Sequence, residues 1–211
     1  QVHRVHTAAQ GLPDNDVTRV WVDARGQVAV ATAGGAASYD GEGWLPLPEV
    51  SAPPRPELDR SELDGLRGVA GPDVAARVVA RHEDEVAVAA DTGLYLGAGG
   101  EWRMALPRQG DVRWAPVDVR AVAYDADGVL WFAAPQGVGC RVAEDDWRLF
   151  TGAEGLPYND FTCMAAGASG VWFGTSNGAI QYRDGAWSFR QGRRWLLDNH
   201  VRDIAVDGAD N

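Results

Sequence analysis

Apolar and polar residues alternate along this chain in short runs, and each run ends in a turn. VRAVAYD, from Val119, alternates and is rich in strand-forming residues. DADG turns, VLWFAA is a second run, PQG turns again, GVGCRV is a third, and WRLFT follows Asp145 and Asp146 as a fourth. Two-residue alternation bounded by turn residues predicts β-strands joined as hairpins. Asp-Gly, Asn-Gly and Gly-Gly supply the positive φ that tight hairpins need. The same four-part series reads at VTRVWVD, QVAVAT, AASYD and WLPLP, at VAARVVA, EVAVAA, GLYLG and WRMAL, and at FTCMAA, GVWFGT, AIQYRDG and WSFRQ. No stretch sustains an i, i+3, i+4 apolar pattern, so no helix is expected.

The series repeats at a fixed distance. Trp131 and Trp172 lie 41 residues apart, as do Gly137 and Gly178, and Val122, Cys163 and Ile204 follow the same step. Trp44, Trp102, Trp147 and Trp187 each open a run after a turn, at spacings of 58, 45 and 40. A period near 40 with four short strands per unit predicts an all-β fold, a β-propeller of four-stranded antiparallel blades. The expected blades are residues 11–50, 69–107, 117–152 and 155–191, with the start of another at 198–211. Residues 3–7 read as an outermost strand without a blade of its own. Four complete blades plus parts of a fifth imply a five-bladed ring or a fragment of a seven-bladed one, incomplete at the C-terminal end. Residues 49–69 and 106–116 interrupt the period as insertions, and long insertions in rigid scaffolds often carry binding residues.

One motif occurs twice, GLPDND from Gly11 and GLPYND from Gly155, and a degenerate LLDNHV starts at Leu196. It is placed to pass from the outermost strand of one blade to the innermost strand of the next. Leu and Pro can wedge between blades, Gly accepts turn geometry, and Asp or Asn can bind local backbone N–H groups. Followed by an alternating strand and GVWFGTSNG, carried by Trp172, Phe173, Gly174, Thr175 and Gly178, the pattern resembles the two-component regulator propeller repeat. That resemblance implies a propeller, usually seven-bladed, in the periplasmic or extracellular sensor region of hybrid histidine kinases. Similar propellers occur in secreted polysaccharide-handling proteins, some of them lyases. An extracytoplasmic location, periplasmic or secreted, follows from the resemblance.

Composition narrows the chemistry. Thirty acidic residues against nineteen basic ones give a net charge of −11 over 211 residues, which argues against nucleic acid as a partner. All the basic residues except the histidines are Arg, so no side-chain amine can form a Schiff base. No apolar run has the length of a membrane span. Cys140 and Cys163 lack zinc spacing and read as reduced core residues. Asp125 and Asp127 resemble a piece of a calcium loop without its other ligands, so no metal or other cofactor is expected.

Loops entering the innermost strands, and loops between second and third strands, should open on one face around the channel. That face would hold Asn15, Asp16, Tyr158, Asn159, Asp160, Asn199 and His200, with Thr175, Ser176 and Asn177 beside them. His200 and Tyr158 break the repeat, so repeat geometry does not explain them, and an imidazole and a phenol can serve as acid and base. Arg113 with Trp114 in the second insertion, and Arg194 with Trp195, pair a stacking ring with a carboxylate partner, a combination suited to sugars. Each of these also has a purely structural explanation, as turn or as core. Three readings follow. The first is a non-catalytic binding or scaffold propeller for a polar small molecule or glycan, within a larger sensor or polysaccharide-handling protein. The second is a lyase acting on acidic glycans through His200 and Tyr158. The third is a protein-interaction propeller, with a separate protein or further blades as partner.

Overall fold

The computed structural model describes residues 4–23, 25–47, 52–167 and 170–206. Its strands form four antiparallel sheets of four, each a meander in chain order. The first sheet contains β1 (Val17–Val22), β2 (Val28–Thr32), β3 (Gly35–Tyr39) and β4 (Trp44–Pro46). The second contains β5 (Ala76–His82), β6 (Glu85–Ala90), β7 (Leu94–Ala98) and β8 (Glu101–Met104). A short hairpin, β9 (Arg108–Gln109) and β10 (Val112–Arg113), precedes the third. The third contains β11 (Ala121–Tyr124), β12 (Leu130–Ala134), β13 (Gly137–Ala143) and β14 (Asp146–Phe150). The fourth contains β15 (Phe161–Gly167), β16 (Gly170–Thr175), β17 (Gly178–Arg183) and β18 (Ala186–Arg190). The expected all-β class and four-stranded antiparallel blades are therefore present.

The first strands of the last three sheets lie side by side. β11 packs beside β5 on one side and β15 on the other. Between the second and third sheets, alternate residues of both bury one core: Ala87, Leu94 and Leu96 against Leu130, Phe132 and Trp147. Trp131, Val138 and Phe150 meet Phe161, Phe173 and Ile180 between the third and fourth. Phe132 and Phe173 are fully buried, and each such side chain stabilises by about 1.5–3 kcal/mol over its exposed state. Tyr124 also donates to Glu85, which Arg141 pairs from the third sheet. Burial would raise the Glu85 carboxyl, but the hydrogen bonds from Arg141 and Tyr124 outweigh it and hold it below its usual range. Burial and Glu85 together push the Tyr124 phenol up.

The expected absence of helix is overturned. Residues Arg60–Ala70 form α1, inside the first insertion. Asp59 accepts from the Glu62 N–H (2.9 Å) while Glu62 accepts from the Asp59 N–H (2.8 Å), a reciprocal cap that satisfies two of the helix's free donors. Leu66 is fully buried against Val79, Val88 and Tyr95, with Leu58 and Ala70 beside it. The apolar stripe is too short to stand out in sequence, and Gly65 and Gly68 dilute it. Gly65 is there for contact: a Cβ at that position would lie 2.6 Å from the Trp102 ring. Thus α1 covers the face of the second sheet opposite the one that packs on the third.

The first sheet is held differently. Its own cluster is Trp21, Ala29 and Ala36, with Ala31, Leu47 and Ala52 alongside. Alanines bury little area, and polar bridges do more of the joining. Arg19 donates to the Pro53 carbonyl (2.5 Å) and the Val20 N–H to the Asp203 carboxylate (3.0 Å). Residues 201–206 carry no strand assignment, and neither do residues 4–7. Even so, 201–203 touch both flanking sheets. Val201 N–H donates to the Thr175 carbonyl (3.0 Å), Thr162 Oγ1 donates to the Val201 carbonyl (2.5 Å), and Arg202 pairs with Asp16. Residue 3 and residues 207–211, parts of two expected strands, lie outside the described residues, as do residues 49–51 of the insertion.

Candidate functional site

The site is built from the ends of the two flanking sheets. The first motif copy brings Asn15 and Asp16 to the top of β1, and the segment after β18 brings Trp195, Asp198, His200 and Arg202 opposite them. Together with Arg4 and His6 they line a cleft of about 400 Å³. Val17, Val20 and Leu196 supply apolar wall. A few convergent polar groups over apolar wall is the usual make-up of a small-molecule site.

Local chemistry explains how each group is held. Asn15 Oδ1 accepts from the Ala8 N–H (2.7 Å), and Asp14 Oδ1 accepts from the Asp16 N–H (2.7 Å), so the loop is fixed by its own side chains. His200 is exposed, and its N–H donates to Asp198 (3.0 Å). Trp195 is anchored by a change in the repeat. In the third sheet Phe150 stacks on Trp131, 6.2 Å between centroids. At the matching cross-strand place in the fourth sheet stands Arg190, whose guanidinium lies 5.9 Å from the Trp172 ring and 4.7 Å from the Trp195 ring. Replacing Phe by Arg thus lets one sheet face hold a second indole by cation–π attraction. Arg194 stands 5.3 Å from the same ring and is exposed.

The other sequence candidates fall elsewhere. Asp160 accepts from Asn177 Nδ2 (3.0 Å) and from Ser176, and its second oxygen is buried without a donor among the described residues. Asn159 Nδ2 donates to the Pro135 carbonyl (2.7 Å). These four form the strand-entry corner of the fourth sheet. Tyr158 is half-buried in the core between the third and fourth sheets, and its hydroxyl donates to Gln191 (3.3 Å). It does not line the cleft with His200. Trp114 packs edge-on against Phe132 at 6.2 Å, between the second and third sheets, and Arg113 is exposed on the hairpin beside β14. A broader hollow of about 580 Å³ lies under that hairpin, between Arg108 and Asp145, at the periphery. No group of three or more His, Cys, Asp or Glu suited to a metal occurs among the described residues. Asp125 shows the alternative use of such acids: it accepts from the Asp127 and Val129 N–H groups and from Trp131 Nε1.

A second, smaller cavity adjoins the cleft through Arg202 and Asp203. It occupies about 220 Å³ among β5, β11 and β15, the innermost strands, which in a propeller border the channel. Arg55 from the first insertion and Arg77 from β5 also line it. Sequence reasoning passed over these three arginines. Arg202 falls two 41-residue steps after Arg120 and so reads as an ordinary repeat position, and Arg55 sits in a Pro-rich run that reads as surface.

No protein-family model matches the chain, and no curated protein does. Solved structures do. The extracellular domain of the hybrid two component system BT4673 from B. thetaiotaomicron is similar over 93% of this chain and 25% of that one, at 13% identity and a TM-score of 0.54. The corresponding domain of BT3049 from the same organism matches over 89% and 24%, at 18% identity and a TM-score of 0.47. A streptogramin B lyase matches over 95% and 76%, at 16% identity and a TM-score of 0.49. The chain spans about a quarter of the length of the two-component domains it matches. At these identities the likeness concerns the fold, which is that of a β-propeller.

Proposed function

We propose that this chain is a non-catalytic binding or scaffold propeller that holds a polar ligand, a carbohydrate, on its channel face. The observation that supports this is the cleft, where an anchored indole, an imidazole, an amide and several charged groups converge over apolar wall. Sugars are bound by that mixture of a flat ring surface and directional polar groups. The acid–base alternative has less support, because Tyr158 donates to Gln191 away from His200. Likeness to extracellular domains of two-component systems supports a place outside the cytoplasm, within a larger sensor or polysaccharide-handling protein. Binding on a glycan array, followed by calorimetry, tests the reading. Trp195→Ala and His200→Ala should each weaken the best glycan at least tenfold, while exposed Arg113→Ala should change it little. A glycan bound equally by all of them, or no glycan bound at all, overturns the reading.

A further inference from the structure

The chain carries a large negative charge, yet the channel cavity collects three guanidinium groups and one carboxylate. Arg55, Arg77 and Arg202 line it with Asp203, and Val78, Val122 and Met164 supply apolar wall. They arrive from three unrelated places: the insertion, the second sheet and the segment after the fourth sheet. Arg77 pairs with Asp118, Arg202 with Asp16, and Arg55 with Asp203 at 3.7 Å. These pairs do not exhaust the arginines. Arg77 and Arg202 each engage their carboxylate through one terminal nitrogen, and a guanidinium offers five N–H donors. Side-chain exposure of Arg55 and Arg202 is 63% and 55%, and such exposed pairs contribute at most about 1 kcal/mol, so they yield to a better partner. Asp118 is also shared by Arg120, which leaves Arg77 less strongly held.

The remaining lining adds no negative charge. Burial pushes the Cys163 thiol up to about 11, so it stays neutral near pH 7. Thr162 already donates its hydroxyl to the Val201 carbonyl. An apolar-walled cavity rimmed by fixed cations focuses field on whatever enters, and planar guanidinium groups match carboxylate, sulfate or phosphate oxygens. Its volume, about 220 Å³, corresponds to roughly seven water molecules, so it admits one small charged group rather than a large ligand.

We propose that the channel mouth is an anion site, in which Arg55, Arg77 and Arg202 take a carboxylate, sulfate or phosphate group, either free or carried by the ligand of the adjoining cleft. The inference deepens the preceding reading, on which the second case rests, by making that ligand acidic. The insertion then has a purpose: residues 52–58 cross from Arg19 to Arg81 and deliver Arg55 to the channel.

The test is calorimetry and thermal shift at low ionic strength, with sodium sulfate, sodium phosphate, glucuronate and neutral glucose as probes, and chloride as the reference. At least one anion should stabilise the wild type beyond chloride. Arg55→Gln and Arg202→Gln, both exposed and expected to fold, should each weaken it about tenfold. Arg77→Lys should keep more affinity than Arg77→Gln. Asp203→Asn, which removes the competing carboxylate, should tighten it. Sulfate or phosphate acting alone points to a free anion, and glucuronate acting alone to an acidic ligand. No stabilisation by any anion overturns the proposal, and so does equal stabilisation of wild type and the Arg55→Gln/Arg202→Gln double variant. Neutral glycan binding lost in His200→Ala, alongside an unresponsive channel, would leave the cleft reading standing and this one refuted.

Discussion

Two stretches of this protein share a fold and differ in use. Thr7 to Asp16 reads TAAQGLPDND, and Thr151 to Asp160 reads TGAEGLPYND. Both begin with a single 3-10 turn, at Ala8–Gln10 and Gly152–Glu154, closed by the same reciprocal cap between Thr and Gln or Glu. Both leave that turn through a left-handed glycine, Gly11 at φ 101° and Gly155 at φ 85°, a conformation that costs other residues about 1–2 kcal/mol. A Cβ added at either glycine would lie 3.7 Å from a tryptophan of the outer strand, Trp44 and Trp187. The two closing carboxylates are used differently. Asp160 finds Ser176 and Asn177 in the neighbouring turn, whereas Asp16 faces Ala33 and Gly34, which have no side-chain donor to offer. Asp16 therefore reaches across the cleft to Arg202. A repeated motif keeps its backbone role, and small residues opposite one copy free its carboxylate for the site.

The largest expected effect tests the shared backbone role. Leu156 is 7% exposed inside the core of the third and fourth sheets, so Leu156→Ala should cost about 2–4 kcal/mol in urea unfolding. Leu12 is equally buried but joins no such cluster among the described residues, and Leu12→Ala should cost only about 1–2 kcal/mol. Equal losses would mean the first copy is packed as firmly as the second. The carboxylates should separate further. Asp160→Ala removes two hydrogen bonds at a half-buried corner and should cost about 1–2 kcal/mol, with cleft binding intact. Asp16→Ala breaks an exposed pair, should change stability by under about 1 kcal/mol, and should alter binding in the cleft. If Asp160→Ala were the variant that lost ligand, the division of labour would be the reverse of the one drawn here.

The sheets were legible because strand alternation and turn chemistry recur at a constant step, and every blade needs both. The helix was not, since an eleven-residue helix resting on one buried leucine leaves almost no periodic trace. Its cap, Asp59 with Glu62, was the one local signal present. Of the candidate residues, His200 and Trp195 line the cleft, together with Asn15 and Asp16 from the loop face, and departure from the repeat had marked His200. Trp114 shows the limit of the same logic, because a ring in an insertion looks alike whether it meets Phe132 or solvent. Arg55, Arg77 and Arg202 are far apart in sequence, and only the convergence of inner strands brings them to one cavity.

The smallest effect distinguishes the two caps themselves. Glu154 accepts from the Thr151 hydroxyl (2.7 Å) and from the Thr151 N–H (2.8 Å), and these bonds lower its pKa from the usual 4.5. A depressed carboxylate adds stability above its unfolded pKa and loses it as pH falls through the folded value. Gln10, at the same place in the first copy, accepts from the Thr7 N–H (3.0 Å) and carries no titrating proton. Amide exchange at Thr151 should therefore speed up, relative to Thr7, as pH drops from about 5 toward 3 after correction for intrinsic rates. Glu154→Gln should abolish the difference by making the second cap a copy of the first. If Thr7 and Thr151 lost protection together, or if the variant kept the acid dependence, the Glu154 bond would not be what holds that turn.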